Sequence, residues 1–164
     1  MQISELIEKN KRAVILIETV NPAPDNKTQV SIKGTGFIVS KNGTFITNAH
    51  VYKSVAPDEL QFLGVLVPSK INEINVTNYD RYPVKLIELD QENDIALMKI
   101  ESSNSFETVS GLDDENNLKE GEEIVFIGYP LALELLNMGF GITMTTNRSM
   151  VSSIKKRSTD CSFH

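Results

Sequence analysis

Gly34-Thr35-Gly36-Phe37-Ile38-Val39-Ser40-Lys41-Asn42-Gly43-Thr44-Phe45-Ile46-Thr47-Asn48-Ala49-His50-Val51 decides the reading of this chain. Apolar, β-prone residues flank Lys41-Asn42-Gly43-Thr44, and Asn-Gly between such runs is a strong hairpin-turn signal. The stretch predicts a β-hairpin whose second strand ends in Asn-Ala-His. Gly34 and Gly36 put small residues where two backbones approach closely. They do not form a dinucleotide fingerprint, because residue 39 is Val and no helix follows.

Upstream, Ile3, Leu6 and Ile7 have helical spacing and predict a short helix from Ile3 to Arg12, with Ser4 as its N-cap. Ala13 to Val20 is rich in Val and Ile and reads as a strand. Asn21-Pro-Ala-Pro-Asp-Asn reads as a loop, and Thr28 to Ser40 as the first arm of the hairpin. Downstream, strands are expected near Leu60–Val67, Tyr82–Leu89 and Ile95–Ile100. Short strands punctuated by turns, with no long helix between them, predict a small closed barrel or sandwich. Residues 101–122 are polar and read as a linker or surface connection. Beyond them, Glu123–Tyr129 reads as a strand. Ile142–Thr146 and Met150–Ile154 read as a hairpin around Thr146-Asn147-Arg148. The expectation is an all-β chain in two parts. Residues 1–104 form a complete barrel with an N-terminal helix, and residues 105–164 form a linker with too few strands to close a second barrel.

Composition narrows the function classes. The chain has 164 residues, 40% hydrophobic and 23% charged, which is globular rather than disordered. One Cys excludes an internal disulfide, and one Cys with two His excludes a Cys/His zinc site. A net charge of −6 leaves no basic footprint for nucleic acid or an anionic membrane. The most apolar stretch, Ile124 to Leu136, is interrupted by Gly128, Pro130 and Glu134 and falls short of a membrane span. The first residues lack the pattern of a signal peptide, so the default expectation is a cytoplasmic chain.

Two further segments accompany the hairpin. One is Asn93-Asp94-Ile95-Ala96-Leu97-Met98-Lys99-Ile100, an acid at the mouth of an apolar strand. The other is Gly121-Glu122-Glu123-Ile124-Val125-Phe126-Ile127-Gly128-Tyr129-Pro130, followed by Val151-Ser152-Ser153. In this order they resemble trypsin-like serine proteases, and most closely the HtrA branch, from the N-terminal helix to Ser153. The resemblance implies a fold of two perpendicular six-stranded barrels with the active site in the cleft between them. It matches His50 to the general base and Asp94 to the acid that orients it. It also implies polypeptide substrates, with no cofactor or metal. Many relatives of this branch carry a downstream peptide-binding domain and some form trimers, so a homo-oligomer stays open.

The resemblance further implies a Gly-x-Ser-Gly-Gly segment after Val-Ser-Ser, supplying nucleophile and oxyanion hole. These 164 residues contain none, and the last glycine is Gly141. Ser149, Ser152, Ser153, Ser158, Cys161 and Ser162 all lack the flanking glycines. Losing the nucleophile of a triad costs on the order of 10⁶ in turnover. The expectation is therefore a serine endopeptidase domain truncated before its nucleophile and inactive alone. The alternative is a non-catalytic pseudoprotease that keeps the barrel as a protein-binding scaffold. A cysteine protease on the same fold is disfavoured, since Cys161 sits in Thr-Asp-Cys-Ser.

Overall fold

Val14-Ile15-Leu16-Ile17 is an unbroken apolar run, so a strand built from it has no face suited to water. In the computed structural model, which describes residues 2–71, 76–112 and 117–153, the run lies in β1 (Val14–Ala23) and is buried throughout. Ile15 and Ile17 pack inward with Ile38, Phe45, Val65, Ala96, Met98 and Ile100. Val14 and Leu16 pack outward against Tyr129 and Ala132. One strand thus serves two cores.

The inward core fills a closed antiparallel barrel. Its strands are β1, β2 (Lys27–Ile38), β3 (Thr44–Thr47), β4 (Leu63–Ile71), β5 (Val76–Asp90) and β6 (Ile95–Ile100). They close in the order β1-β2-β3-β6-β5-β4, which leaves no unpaired edge. A short helix, α1 (Ile3–Asn10), precedes the barrel, and another, α2 (Ala49–Lys53), follows β3. After the polar connection, β7 (Glu123–Gly128), α3 (Ala132–Asn137) and β8 (Thr145–Met150) follow, with β7 and β8 paired as a two-stranded sheet. The chain is mostly β, with one complete barrel, a partial second sheet and an N-terminal helix, as the resemblance implies.

Several boundaries differ from the sequence expectations. Helix α1 starts at Ile3, so Ser4 lies inside its first turn; the Gln2 backbone N–H instead donates to Glu5 Oε2 at 3.1 Å. Residues 21–23 are strand rather than loop, and the reversal is compressed into Pro24–Asn26. It uses positive φ at Asp25 (65°) and Asn26 (57°), a conformation these two residue types tolerate. Strand β5 is longer than expected because its pairing with β4 runs out to Ile71 and Val76.

The expected hairpin at Thr146-Asn147-Arg148 does not form. Those residues lie in the middle of β8, paired from Glu123–Met150 to Gly128–Thr145. Their polarity reflects a solvent-facing strand, not a turn. The reversal comes earlier, through α3 and the positive-φ glycines Gly139 and Gly141. Ile154, the far end of that expected hairpin, lies outside the described residues.

A buried ion pair braces the barrel. Glu18 is 3% exposed and accepts a bond from Arg81 Nε at 2.9 Å. Arg81 Nη2 also donates to the Phe62 carbonyl at 2.7 Å. Gly64 makes room for the guanidinium, since a Cβ there would lie 2.7 Å from Arg81 Nη2. One side chain therefore ties β1, β5 and the entry to β4. Removing Arg81 strands a desolvated carboxylate. Arg81→Ala should cost about 2–4 kcal/mol, less than for a wholly buried pair because Arg81 is partly solvated. Chemical denaturation measures this, and a loss under about 0.5 kcal/mol, the range of ordinary surface changes, would contradict it.

Candidate active site

His50 and Asp94 are 44 residues apart in sequence, and the barrel makes them neighbours. Strand β3 pairs with β6, matching Thr47 to Ala96. The residues just past Thr47 and just before Ala96 therefore emerge at the same end of the barrel. Asn48 is extended, and α2 begins at Ala49. Ala49 and Val51 are buried and anchor this short helix, leaving His50 exposed between them. Val51 seats against Gly34, where a Cβ would lie 2.8 Å from Val51 Cγ2. The close approach inferred for that glycine is thus a helix-on-strand contact.

Asp94 closes the turn between β5 and β6 and adopts φ 56°, a left-handed conformation that Asp tolerates. The turn is held from within by Asp90, whose carboxylate accepts the Asn93 backbone N–H at 3.0 Å and Asn93 Nδ2 at 2.7 Å. It is held from outside by Lys53, whose Nζ donates to Gln91 Oε1 at 3.0 Å.

The Asp94 carboxylate engages residue 50 twice. Oδ1 accepts the His50 backbone N–H at 2.8 Å, and Oδ2 lies 2.7 Å from His50 Nδ1. The first bond satisfies an N–H that the start of α2 leaves unpaired. The second fixes the ring. Asn48 Nδ2 adds bonds to Asp94 Oδ2 at 3.2 Å and to the Asp94 carbonyl at 3.3 Å. A carboxylate only accepts, so the proton sits on Nδ1 and the lone pair on Nε2. With the side chain 71% exposed, that lone pair is open to a proton donor. The site lies in an open hollow lined by Ala49, His50, Lys53, Ser54, Gln91 and Asp94.

Two sequence-predicted residues are therefore brought together, and among the described residues none of the nucleophile candidates lines their hollow. Ser54 shares the hollow, but its hydroxyl donates to the Val51 carbonyl at 2.7 Å. Ser149 is paired with Ile124 in the second sheet. Ser152 and Ser153 are exposed beyond β8. Ser158, Cys161 and Ser162 lie outside the described residues. Sequence reasoning missed the contribution of Asn48, whose side chain makes no capping bond to α2 and instead donates to Asp94. It also missed Asp90, Asn93 and Lys53, whose roles depend on the turn geometry. Among the described residues, no three His, Cys, Asp or Glu side chains assemble into a metal-binding group. No helix there is long and apolar enough to cross a membrane.

The carboxyl of Asp94 is held below the usual Asp range, chiefly by the His50 backbone N–H and then by its ring. Asp94 thus favours the folded chain above its ordinary pKa, and the contribution fades as pH falls through the lowered value. Carboxyl-carbon NMR should place its midpoint below 3.8. In His50→Ala the midpoint should rise yet stay below that value, because the backbone N–H of residue 50 remains. A wild-type midpoint at or above the ordinary value would contradict this origin.

Residues 34–164 match the family model of the trypsin-like peptidase domain. Serine protease HTRA1A of Danio rerio is 31% identical over 147 residues, covering 89% of this chain and 27% of the relative. Serine protease HTRA3 of Homo sapiens is 32% identical over 149 residues, covering 89% and 30%. Uncharacterized protein y4bJ of Sinorhizobium fredii is 32% identical over 121 residues, covering 74% and 16%. The chain thus spans less than a third of the length of these relatives. By the family-model match the chain belongs to the trypsin-like peptidase domain family, and over most of its length it is similar to HtrA serine proteases.

Proposed function

We propose that this chain carries the His–Asp half of a serine endopeptidase site acting on polypeptides. His50 is the general base and then the general acid, and Asp94 orients it. The observation that carries the reading is the double grip of one carboxylate on the ring and backbone of His50. HTRA1A and HTRA3 are named serine proteases, and polypeptides are the substrate class of that chemistry.

In this reading a serine Oγ attacks the scissile carbonyl carbon as its proton passes to His50 Nε2. The carbonyl π pair moves onto oxygen. As that pair returns, the C–N bond breaks and His50 delivers the proton to the leaving amine. Water, deprotonated by the same nitrogen, then attacks the acyl carbon, the C–Oγ bond breaks, and His50 returns the proton to the serine Oγ as the acid product leaves. Asp94 stays ionised and stabilises the imidazolium at each stage. Protein groups and water balance every proton, so the reading calls for no cofactor.

The reading has two finer parts. Residues 1–104 act as the barrel unit with its helix, and residues 105–164 as a connection and partial second barrel. The 164-residue polypeptide, which has no Gly-x-Ser-Gly-Gly segment, is inactive by itself. It should therefore show no His50-dependent labelling by a fluorophosphonate probe. Residues 1–150 fused to the complementary C-terminal part of an HtrA-type relative should hydrolyse casein. His50→Ala should then lower turnover by roughly 10⁶ and Asp94→Asn by roughly 10⁴. A folded chimera that is inert, or one equally active with His50→Ala, would overturn the reading.

A further inference from the structure

Thr35 stands between two elements that otherwise do not share a strand. Its side chain is half-buried on the outer face of the barrel, and its cross-strand partner is Leu16 of the outward core. Thr35 Oγ1 accepts the Tyr129 backbone N–H at 3.1 Å. Gly128 is small enough to sit against it, since a Cβ there would lie 3.1 Å from the same oxygen. Tyr129 is the residue that docks the second sheet, because its buried hydroxyl donates to the Val14 carbonyl at 3.2 Å.

The backbone of the same residue faces the other way. The Thr35 carbonyl accepts the Thr47 hydroxyl at 2.8 Å. Thr47 is the last residue of β3, three positions before His50. Next to Thr35, Gly34 seats Val51, the residue after His50. So Gly34-Thr35 holds the His50 segment on both sides of the imidazole, while the Thr35 hydroxyl holds the second sheet.

We propose that Thr35 is a positioning residue that couples docking of the second sheet to the orientation of His50. When Tyr129 is seated, Thr35 is fixed. Its carbonyl then fixes the end of β3, and the imidazole is held against Asp94. When the second sheet lifts, that restraint loosens and His50 samples rotamers in which Nδ1 leaves the carboxylate. The sheet's state is thus read at the base without any contact between Tyr129 and His50. This claim concerns the His50–Asp94 contact and stands or falls apart from the proteolytic reading.

The test is long-range proton–nitrogen NMR on the full 164-residue chain, which reads the His50 tautomer from its ring nitrogens, together with hydrogen exchange at the Tyr129 amide. Asp94→Ala supplies the spectrum of an unheld ring. Thr35→Val removes the hydroxyl acceptor and keeps the carbonyl and branched shape. It should speed exchange at Tyr129 and shift the His50 tautomer ratio by roughly threefold or more toward that of Asp94→Ala. Thr35→Ser should keep both signals native, and Ile100→Val, a core trim at the end of β6 away from Asp94, should leave the His50 ratio unchanged. If Thr35→Val does not fold, Thr35→Cys gives the weaker acceptor in its place. Deprotection of Tyr129 with an unchanged His50 ratio overturns the coupling, as does no change at either position. An equal shift in Ile100→Val overturns it too, by showing general loosening rather than a specific path.

Discussion

The pairing of β3 with β6 is the constraint on which the site depends. It is a short contact, four residues on the β3 side, yet it closes the barrel and sets the register Thr47–Ala96. That register fixes where two loops leave the sheet. One carries His50 and the other Asp94, so a distance of 44 residues in the chain becomes a hydrogen bond. A slip of one residue would turn each side chain of β3 to the opposite face. It would expose Phe45, now fully buried, and part the two site residues together. The hydrophobic effect that fixes the register therefore also fixes the His50–Asp94 geometry.

The second constraint is the double-sided burial of β1. Its inward residues belong to the barrel, and its outward residues, Val14 and Leu16, belong to a smaller core with Tyr129 and Ala132. Tyr129 is the keystone of that smaller core. Burial pushes its phenol pKa well up, its hydroxyl holds a backbone carbonyl, and its ring meets Tyr79 edge-on at 6.1 Å. Away from this contact, β7, α3 and the glycine turn expose Phe126, Met138 and Phe140. A two-stranded sheet has too little surface to bury both of its faces. The barrel is closed in hydrogen bonds and core, while the second sheet meets it, among the described residues, through residues 127–129 at the end of β7.

The barrel was legible in the sequence because its signals are local. β-prone residues and turn chemistry marked β2 and β3, an apolar run marked β6, and Asn42-Gly43 marked the hairpin, where Gly43 indeed takes φ 86°. The unbroken Val14–Ile17 run marked a strand but not its second core, which depends on residues over a hundred positions away. Pro22 and Asn21 misled toward a loop because their residue types favour turns, whereas pairing with Thr28 and Gln29 held them extended. In β8 the polarity of Thr146-Asn147-Arg148 carried information about solvent, not about reversal. Helix α3 was signalled by Ala132-Leu133-Glu134-Leu135-Leu136, all good helix formers after Pro130, and was masked by their apolar character. The His50–Asp94 pairing was not legible from spacing at all; only the resemblance pointed to it, and the β3–β6 register supplies the physical reason.

The central claim is that the barrel presets the imidazole before any nucleophile or substrate is present. The measurement that bears on it most directly is the tautomer of His50 in the wild-type 164-residue chain at neutral pH, read from its ring nitrogens. The account predicts a predominantly Nδ1-protonated ring that reverts toward the free-imidazole distribution in Asp94→Ala. A ring that is mainly Nε2-protonated, with the same spectrum in Asp94→Ala, would contradict it.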